Sequence, residues 1–197
     1  MRDTKERILY EALDLFSVQG YDGVSMTEIA DRVGIKAASI YKHYKGKEDI
    51  FHTIVQQFEE RTEHIFQPVV SVEEDYDGMA AGMLVQMVQQ AFQLYAEEPF
   101  LSKCRKLFMI SAFGRPEIGT LYVKYFIEMP MEYQSGIFGV MQEAKHFKGR
   151  DTAVMASHFY APILILLQEY DYSRITMDEA FRRIELLILQ FTEVYSI

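Results

Sequence analysis

The chain has 197 residues, 49% hydrophobic and 25% charged, a composition that fits one or two soluble globular domains and excludes a disordered or fibrous chain. Its formal net charge of −9 argues against a protein coated in basic surface. The charge is unevenly spread: Arg32 to Lys47 holds five basic residues (Arg32, Lys36, Lys42, Lys45, Lys47) and no acidic one, which leaves −14 for the remainder, the −9 total less that +5. An acidic body with one basic spot meets a polyanion at that spot and repels it elsewhere.

Taken in chain order, the sequence reads as helices with no convincing strand. The first helix is predicted over Thr4–Gln19, with Ile8, Leu9, Ala12, Leu15 and Phe16 at helical spacing. Asp3 and Glu6 can box its start, and Gly20 suits its end. A second helix begins at Ser25, where Ser25 and Glu28 make a capping box, and runs to about Val33. Gly34 supplies a tight turn. A short third helix covers about Lys36 to Tyr41. A long fourth begins near Lys47 with Phe51, Ile54, Val55, Phe58, Ile65 and Phe66 on its buried face, ends before Pro68, and is expected to bridge two modules.

After a loop over Ser71 to Asp77, further helices are predicted near 78–97, 99–113, 116–146, 151–171 and 176–196. Pro99 and Pro116 fall in first turns, where proline is welcome. Pro130 and Pro162 lie inside helical patterns, and each should kink or break its helix. Thr176 and Glu179 form another capping box. The uncharged run Thr152–Gln168 is slightly short for a bilayer span and contains Ser157, His158 and Pro162, so it reads as a buried helix and no membrane partner is expected. Cys104 is the single cysteine, which rules out an intrachain disulfide. With no apolar signal core near the N-terminus, this predicts a cytoplasmic protein.

Two short helices joined by a glycine turn can place the second in the DNA major groove. Ile29, Ala30, Val33, Ile35 and Ile40 are apolar where the pair must pack, and Ala30 is small where the helices approach. The third helix then presents Lys36, Ala37, Ser39, Tyr41, Lys42 and His43 outward. Lysines neutralise phosphates, hydroxyls donate to phosphate oxygens, alanine can meet a thymine methyl and lysine can reach guanine. Gly46 and Lys47 open the fourth helix, whose N-terminal amides can also hold a phosphate.

These residues resemble the DNA-binding domain of TetR/AcrR-type transcriptional regulators. The match runs in order through Ile8-Leu9, Ala12, Leu15-Phe16, Gly20-Tyr21, Thr27-Glu28-Ile29-Ala30, Gly34-Ile35, Ser39-Ile40-Tyr41, His43-Tyr44 and Lys47-Glu48-Asp49, within residues 7–51. The rest of the chain fits that family in length and helical character. The resemblance implies an all-α chain: a helix-turn-helix DNA-binding domain over 1–47 and a helical effector-binding and dimerisation domain over 48–197. It implies that Thr27, Tyr41, Tyr44 and Lys47 hold phosphates while Lys36, Ala37, Ser39, Lys42 and His43 face the groove. Gly46 departs from the serine or asparagine common there, which should weaken the fourth helix start by a few tenths of a kcal/mol.

The last helix carries Met177, Phe181, Ile184, Ile188, Phe191 and Tyr195 at steps of three and four, with Ala180, Leu187 and Val194 as a second stripe. That face is broader than one neighbouring helix needs. With Ile163 and Leu167 from the preceding helix, Phe181, Ile184, Ile188 and Phe191 are candidates for a homodimer interface of four helices; the alternative is that both helices line a monomer core. The resemblance favours the dimer, as does the pairing of recognition helices on a palindromic operator.

The middle helices are rich in Met and aromatic residues, where the resemblance implies a small-molecule effector pocket. The candidates are Met83, Met87, Phe108, Tyr122 and Phe126, with His158 beyond them. A Met and aromatic stripe is more often plain core, and a histidine such as His158 is more often a satisfied buried one than a ligand contact. Catalysis and cofactors find no support: no HExxH, phosphate loop or GxSxG elbow occurs, and Glu60 with His64 makes half a zinc site at most. The expectation is therefore a non-enzymatic, ligand-responsive repressor that binds double-stranded DNA as a homodimer and is released by a largely apolar effector. The rival is an all-helical lipid- or drug-binding protein, or an enzyme, that merely contains such a helical unit.

Overall fold

In a computed structural model, the described residues are 3–63, 65, 81–149 and 151–197, with the side chains of 81 and 83 outside that set. Pro68, the loop over Ser71 to Asp77, the expected helix start at 78, Phe66 and His64 lie outside the described residues. The elements are α1 (Thr4–Gln19), α2 (Met26–Val33), α3 (Ala37–Ile40), α4 (Lys47–Thr62), α5 (Ala81–Glu97), α6 (Pro99–Ser111), α7 (Pro116–Val123), a π-helical turn (Lys124–Glu128), α8 (Met129–Glu143), α9 (Thr152–Asp171) and α10 (Met177–Tyr195). An isolated bridge between Phe147 and Ser196 is the sole extended pairing among the described residues. The chain is all-α, as expected.

The chain packs as two compact units, residues 1–65 with 99–124, and residues 66–98 with 125–197. The first unit therefore joins α6 and α7 to α1–α4, and α4 belongs to it. The sequence boundary at 47/48 follows the end of the DNA-binding motif, whereas the packing groups the chain by shared core.

In the first unit, Ile8, Leu9, Ala12, Leu13 and Phe16 of α1 face Ile29, Ala30 and Val33 of α2, Ile40 of α3, Ile50, Phe51, Ile54 and Phe58 of α4, and Phe100, Leu101, Leu107 and Phe108 of α6, all of them buried. Phe108 stands edge-on to Phe51 and Phe58, with ring centroids 6.2 and 5.5 Å apart. In the second unit, α5, α8, α9 and α10 enclose Phe92, Phe138, Met155, Phe159, Ile163, Leu166, Ile184, Ile188 and Phe191.

The two internal prolines behave differently. α9 runs unbroken through Pro162. Pro130 has no N–H to offer the Phe126 carbonyl four residues earlier, and the chain widens there into the π turn, a common response to a disturbed helical ladder. The Tyr160 hydroxyl donates to that Phe126 carbonyl at 2.9 Å. The helix expected over 116–146 is thus divided rather than broken.

Candidate DNA-binding site

The site is built on α2 and α3. Ser25 Oγ accepts from the Glu28 N–H at 3.2 Å while the Glu28 carboxylate accepts from the Ser25 N–H at 2.7 Å. That reciprocal box satisfies two otherwise orphan helix-end donors, and its backbone hydrogen bond holds the Glu28 carboxyl below the usual carboxylate range. At the other end Gly34 adopts φ 76° and ψ 35°, a left-handed conformation natural to glycine. The Ile35 N–H returns to the Ala30 carbonyl at 3.0 Å, which closes the helix.

The chain then enters α3, one turn of four residues. Ile40 is fully buried beneath it, and the outer side is left to Lys36, Tyr41 and Lys42, all exposed. Ala37, Ser39 and His43 are half-buried around that side, and Thr27 is exposed near the start of α2. The structure therefore brings seven of the nine expected DNA residues to an accessible position.

Tyr44 and Lys47 are placed otherwise. Tyr44 is buried, its hydroxyl donates to the Lys5 carbonyl at 3.2 Å, and burial pushes it up to about 12. Lys47 donates to the Tyr21 and Val24 carbonyls at 2.9 and 2.8 Å, and its ammonium lies 4.5 Å from the Tyr21 ring centroid. Burial lowers its affinity for a proton. Both side chains hydrogen-bond to the module's own backbone, Tyr44 to α1 and Lys47 to the α1–α2 loop. Arg32 is likewise engaged, pairing with Glu11 at 3.1 Å. Gly46 caps α4 with no side chain, as expected, but the Asp49 carboxylate accepts from the Lys45 N–H at 2.8 Å at that same start.

A contact that sequence reasoning missed lies beside this module. Arg115, at the start of α7, grips Asp22 in the α1–α2 loop: its Nη2 donates to Oδ1 at 2.6 Å and its Nε reaches both carboxylate oxygens at 3.0 Å. The guanidinium holds the Asp22 carboxyl below the usual range. The Tyr21 N–H donates to Ser111 Oγ at 2.9 Å. Asp22 and Arg115 are 93 positions apart, and no local spacing rule joins residues at such a distance.

The expected effector residues are not gathered in one place. Phe108 is core of the first unit, where Tyr122 is half-buried. Phe126 is core of the second unit, 6.0 Å centroid to centroid from Tyr95, and Met87 is half exposed there. The side chain of Met83 lies outside the described residues. His158 is exposed, not buried, and its Nδ1 meets the Tyr195 hydroxyl at 2.5 Å.

The expected dimer residues also point elsewhere. Ile163, Leu167, Ile184, Ile188 and Phe191 are buried in the second unit's own core, and Phe181 packs against it. The apolar residues left outside on α9 and α10 are Val154, Ile165, Leu186, Leu189 and Val194. An open groove of about 340 Å³ runs there, lined by Pro162, Ile165, Leu166, Arg183, Leu186, Leu187 and Gln190.

A capped α2, a glycine turn and a one-turn α3 with basic and hydroxyl side chains outward define a helix-turn-helix DNA-binding module on an all-helical chain. Residues 8–54 match the family described as bacterial regulatory proteins, tetR family. A biofilm operon icaADBC negative transcriptional regulator, IcaR, of Staphylococcus aureus is 23% identical over 205 aligned residues, covering 98% of this chain and 96% of its own. The Staphylococcus epidermidis IcaR is 44% identical over 52 residues, 26% of this chain and 28% of its own. The solved SmeT–triclosan complex shares the fold with a TM-score of 0.69 at 18% identity, covering all of this chain and 93% of its own. Over residues 8–54 the chain thus matches the tetR family of bacterial regulatory proteins, and its likeness to IcaR extends over nearly its whole length. No helix among the described residues is long and apolar enough to cross a membrane.

Proposed function

We propose that the chain is a cytoplasmic repressor that binds a palindromic operator as a homodimer and leaves it when a small, largely apolar effector binds. The observation that carries the DNA side is α3: Ile40 anchors it inward while Lys36, Tyr41 and Lys42 stand exposed. On this reading Lys36, Ala37, Ser39, Lys42 and His43 meet the major groove, and Thr27 and Tyr41 hold phosphates. Tyr44 and Lys47 hold the module in shape. Residues 1–47 serve DNA, and 48–197 serve effector binding and dimerisation.

Dimerisation is assigned to the outer faces of α9 and α10, where Ile165, Leu186 and Leu189 leave apolar surface in water around the groove. Two copies would bury these faces as a four-helix interface and set two α3 helices one DNA turn apart. Repression is supported by the negative regulation named for IcaR, and an apolar effector by triclosan in the SmeT complex. The effector must favour the state that does not bind DNA, since only differential affinity shifts an equilibrium.

The test begins with selection of duplexes from random-sequence DNA by the wild-type chain. A palindrome with half-sites about 34 Å apart, bound by two chains in sedimentation, is the expected result. Non-palindromic binding by one chain would refute the dimeric reading. A panel of phenols and acyl chains is then titrated into the complex. A compound that binds the protein yet leaves operator affinity unchanged would refute the switch.

A further inference from the structure

We propose that Arg115 and Lys47 are positioning residues for DNA binding, which together fasten the α1–α2 loop and so set where α2 and α3 stand. The proposal rests on the DNA-binding reading. Residues 20–25 carry the chain from α1 into α2, and Tyr21, Asp22 and Val24 of that loop are each held from outside it. The Tyr21 N–H donates to Ser111, at the end of α6. The Tyr21 and Val24 carbonyls both accept from Lys47, the first residue of α4. The Asp22 carboxylate is bound by three contacts from Arg115, at the start of α7.

Tyr21 is the centre of this clamp. Its ring lies 4.5 Å from the Lys47 ammonium and 5.1 Å from the Arg115 guanidinium, within range of cation–π attraction, and packs on Phe16 and Phe51. Val24 directly precedes Ser25, the cap of α2, so the grip on its carbonyl fixes the point where α2 begins. α2 hands its position to α3 through the Gly34 turn. Any displacement of the α6–α7 junction therefore reaches the recognition helix through this loop.

The Arg115–Asp22 pair is an unusual investment if folding were its purpose. Both side chains are substantially exposed, 41% and 55%, and exposed ion pairs add little to stability. A bidentate guanidinium does fix geometry, because its planar fork matches a carboxylate in one orientation. A lysine pinned by two carbonyls does the same for the neighbouring peptide groups.

The test uses the full chain and a duplex selected from random-sequence DNA by the wild-type protein. Arg115→Ala should bind that duplex a few-fold more weakly, because a loop released from its clamp must be ordered when DNA binds. The slope of log affinity against log salt should stay unchanged, because no phosphate contact is lost. Hydrogen exchange at the Tyr21 to Val24 amides should quicken, and the thermal midpoint should hold. Arg115→Lys should keep part of the affinity, and the exchange D22R with R115D should restore it. These two carry the test should the alanine variant not fold.

Faster exchange with unchanged affinity would overturn the proposal, since the loop would then be free without consequence. A salt slope lower by about 0.9 would overturn it too, by making Arg115 itself a phosphate contact. A wild-type chain that retained no duplex would instead remove the DNA-binding reading, and the proposal with it; that failure is recognisable because no variant is involved.

Discussion

Replacing Tyr44 with phenylalanine removes one oxygen and separates two roles for the same residue. The ring is buried and stays in place; what goes is a hydrogen bond of 3.2 Å to the Lys5 carbonyl. That length is longer than the usual range of about 2.5–3.0 Å for an O–H···O bond. A typical net contribution is about 0.5–1.5 kcal/mol, and a long bond to a part-exposed carbonyl belongs in the lower half, about 0.5–1 kcal/mol. With a urea dependence of about 2 kcal/mol/M, the unfolding midpoint should fall by about 0.25–0.5 M. DNA affinity should not change. There is also a signature in base. Tyr44 is raised from 10.0 to about 12 in the folded chain, chiefly by burial. The folded state therefore keeps a proton that the unfolded state loses first. The stabilisation is complete below pH 10 and disappears as pH rises toward 12, and the Phe variant should lack this part of the loss. Tyr41→Phe should do the reverse: no change in the urea midpoint, and DNA binding weaker by a few-fold, about the worth of one hydrogen bond. The reasoning fails if Tyr44→Phe weakens DNA binding as much as Tyr41→Phe does while leaving the midpoint alone.

Further expectations concern the other surfaces. Lys42→Ala should weaken the selected duplex more than unrelated DNA and relax the preference at one base position, measured by fluorescence anisotropy over a set of single-base variants. Leu186→Asp puts a charge at an outward position of α10 and should yield monomers of normal helicity in sedimentation; persistent dimers would place the interface elsewhere. Ser25→Ala removes half of a capping box and should cost about 1 kcal/mol in a denaturant melt. Tyr160→Phe removes the hydroxyl that donates to the Phe126 carbonyl beside the π turn and should cost about 1 kcal/mol as well, with DNA affinity preserved.

The helix-turn-helix was legible because its signals are local. A capping box spans four residues, a helix-ending glycine one, and a helical apolar period seven or eight; Ser25, Glu28, Gly34 and Ile40 stand where those rules put them. The same rules could not tell which apolar stripe of α10 faces inward. The helix carries enough apolar residues for two faces, and the contacts that decide between Ile188 and Leu189 come from α5 and α9. Phe108 is ambiguous in sequence for a related reason: an aromatic ring reads alike whether it lines a ligand site or packs, as here, on Phe51 and Phe58. The resemblance implies a phosphate contact for Lys47, and no local pattern shows that its ammonium meets the module's own backbone. What turns it inward is a pair of carbonyls in a loop 23 to 26 residues earlier.

The recognition element itself is one helical turn, from Ala37 to Ile40. A segment so short has no helical stability of its own, since nucleation alone is unfavourable. It is held by Ile40 beneath it and by the turns on either side, while the side chains that meet solvent carry almost none of the fold. Sequence preference and foldability are thus written in different letters of the same short word. On the proposed reading, Lys36 and Lys42 can be exchanged to change which DNA is read while the framework beneath keeps its shape, and a regulator built this way can acquire a new operator in a few substitutions.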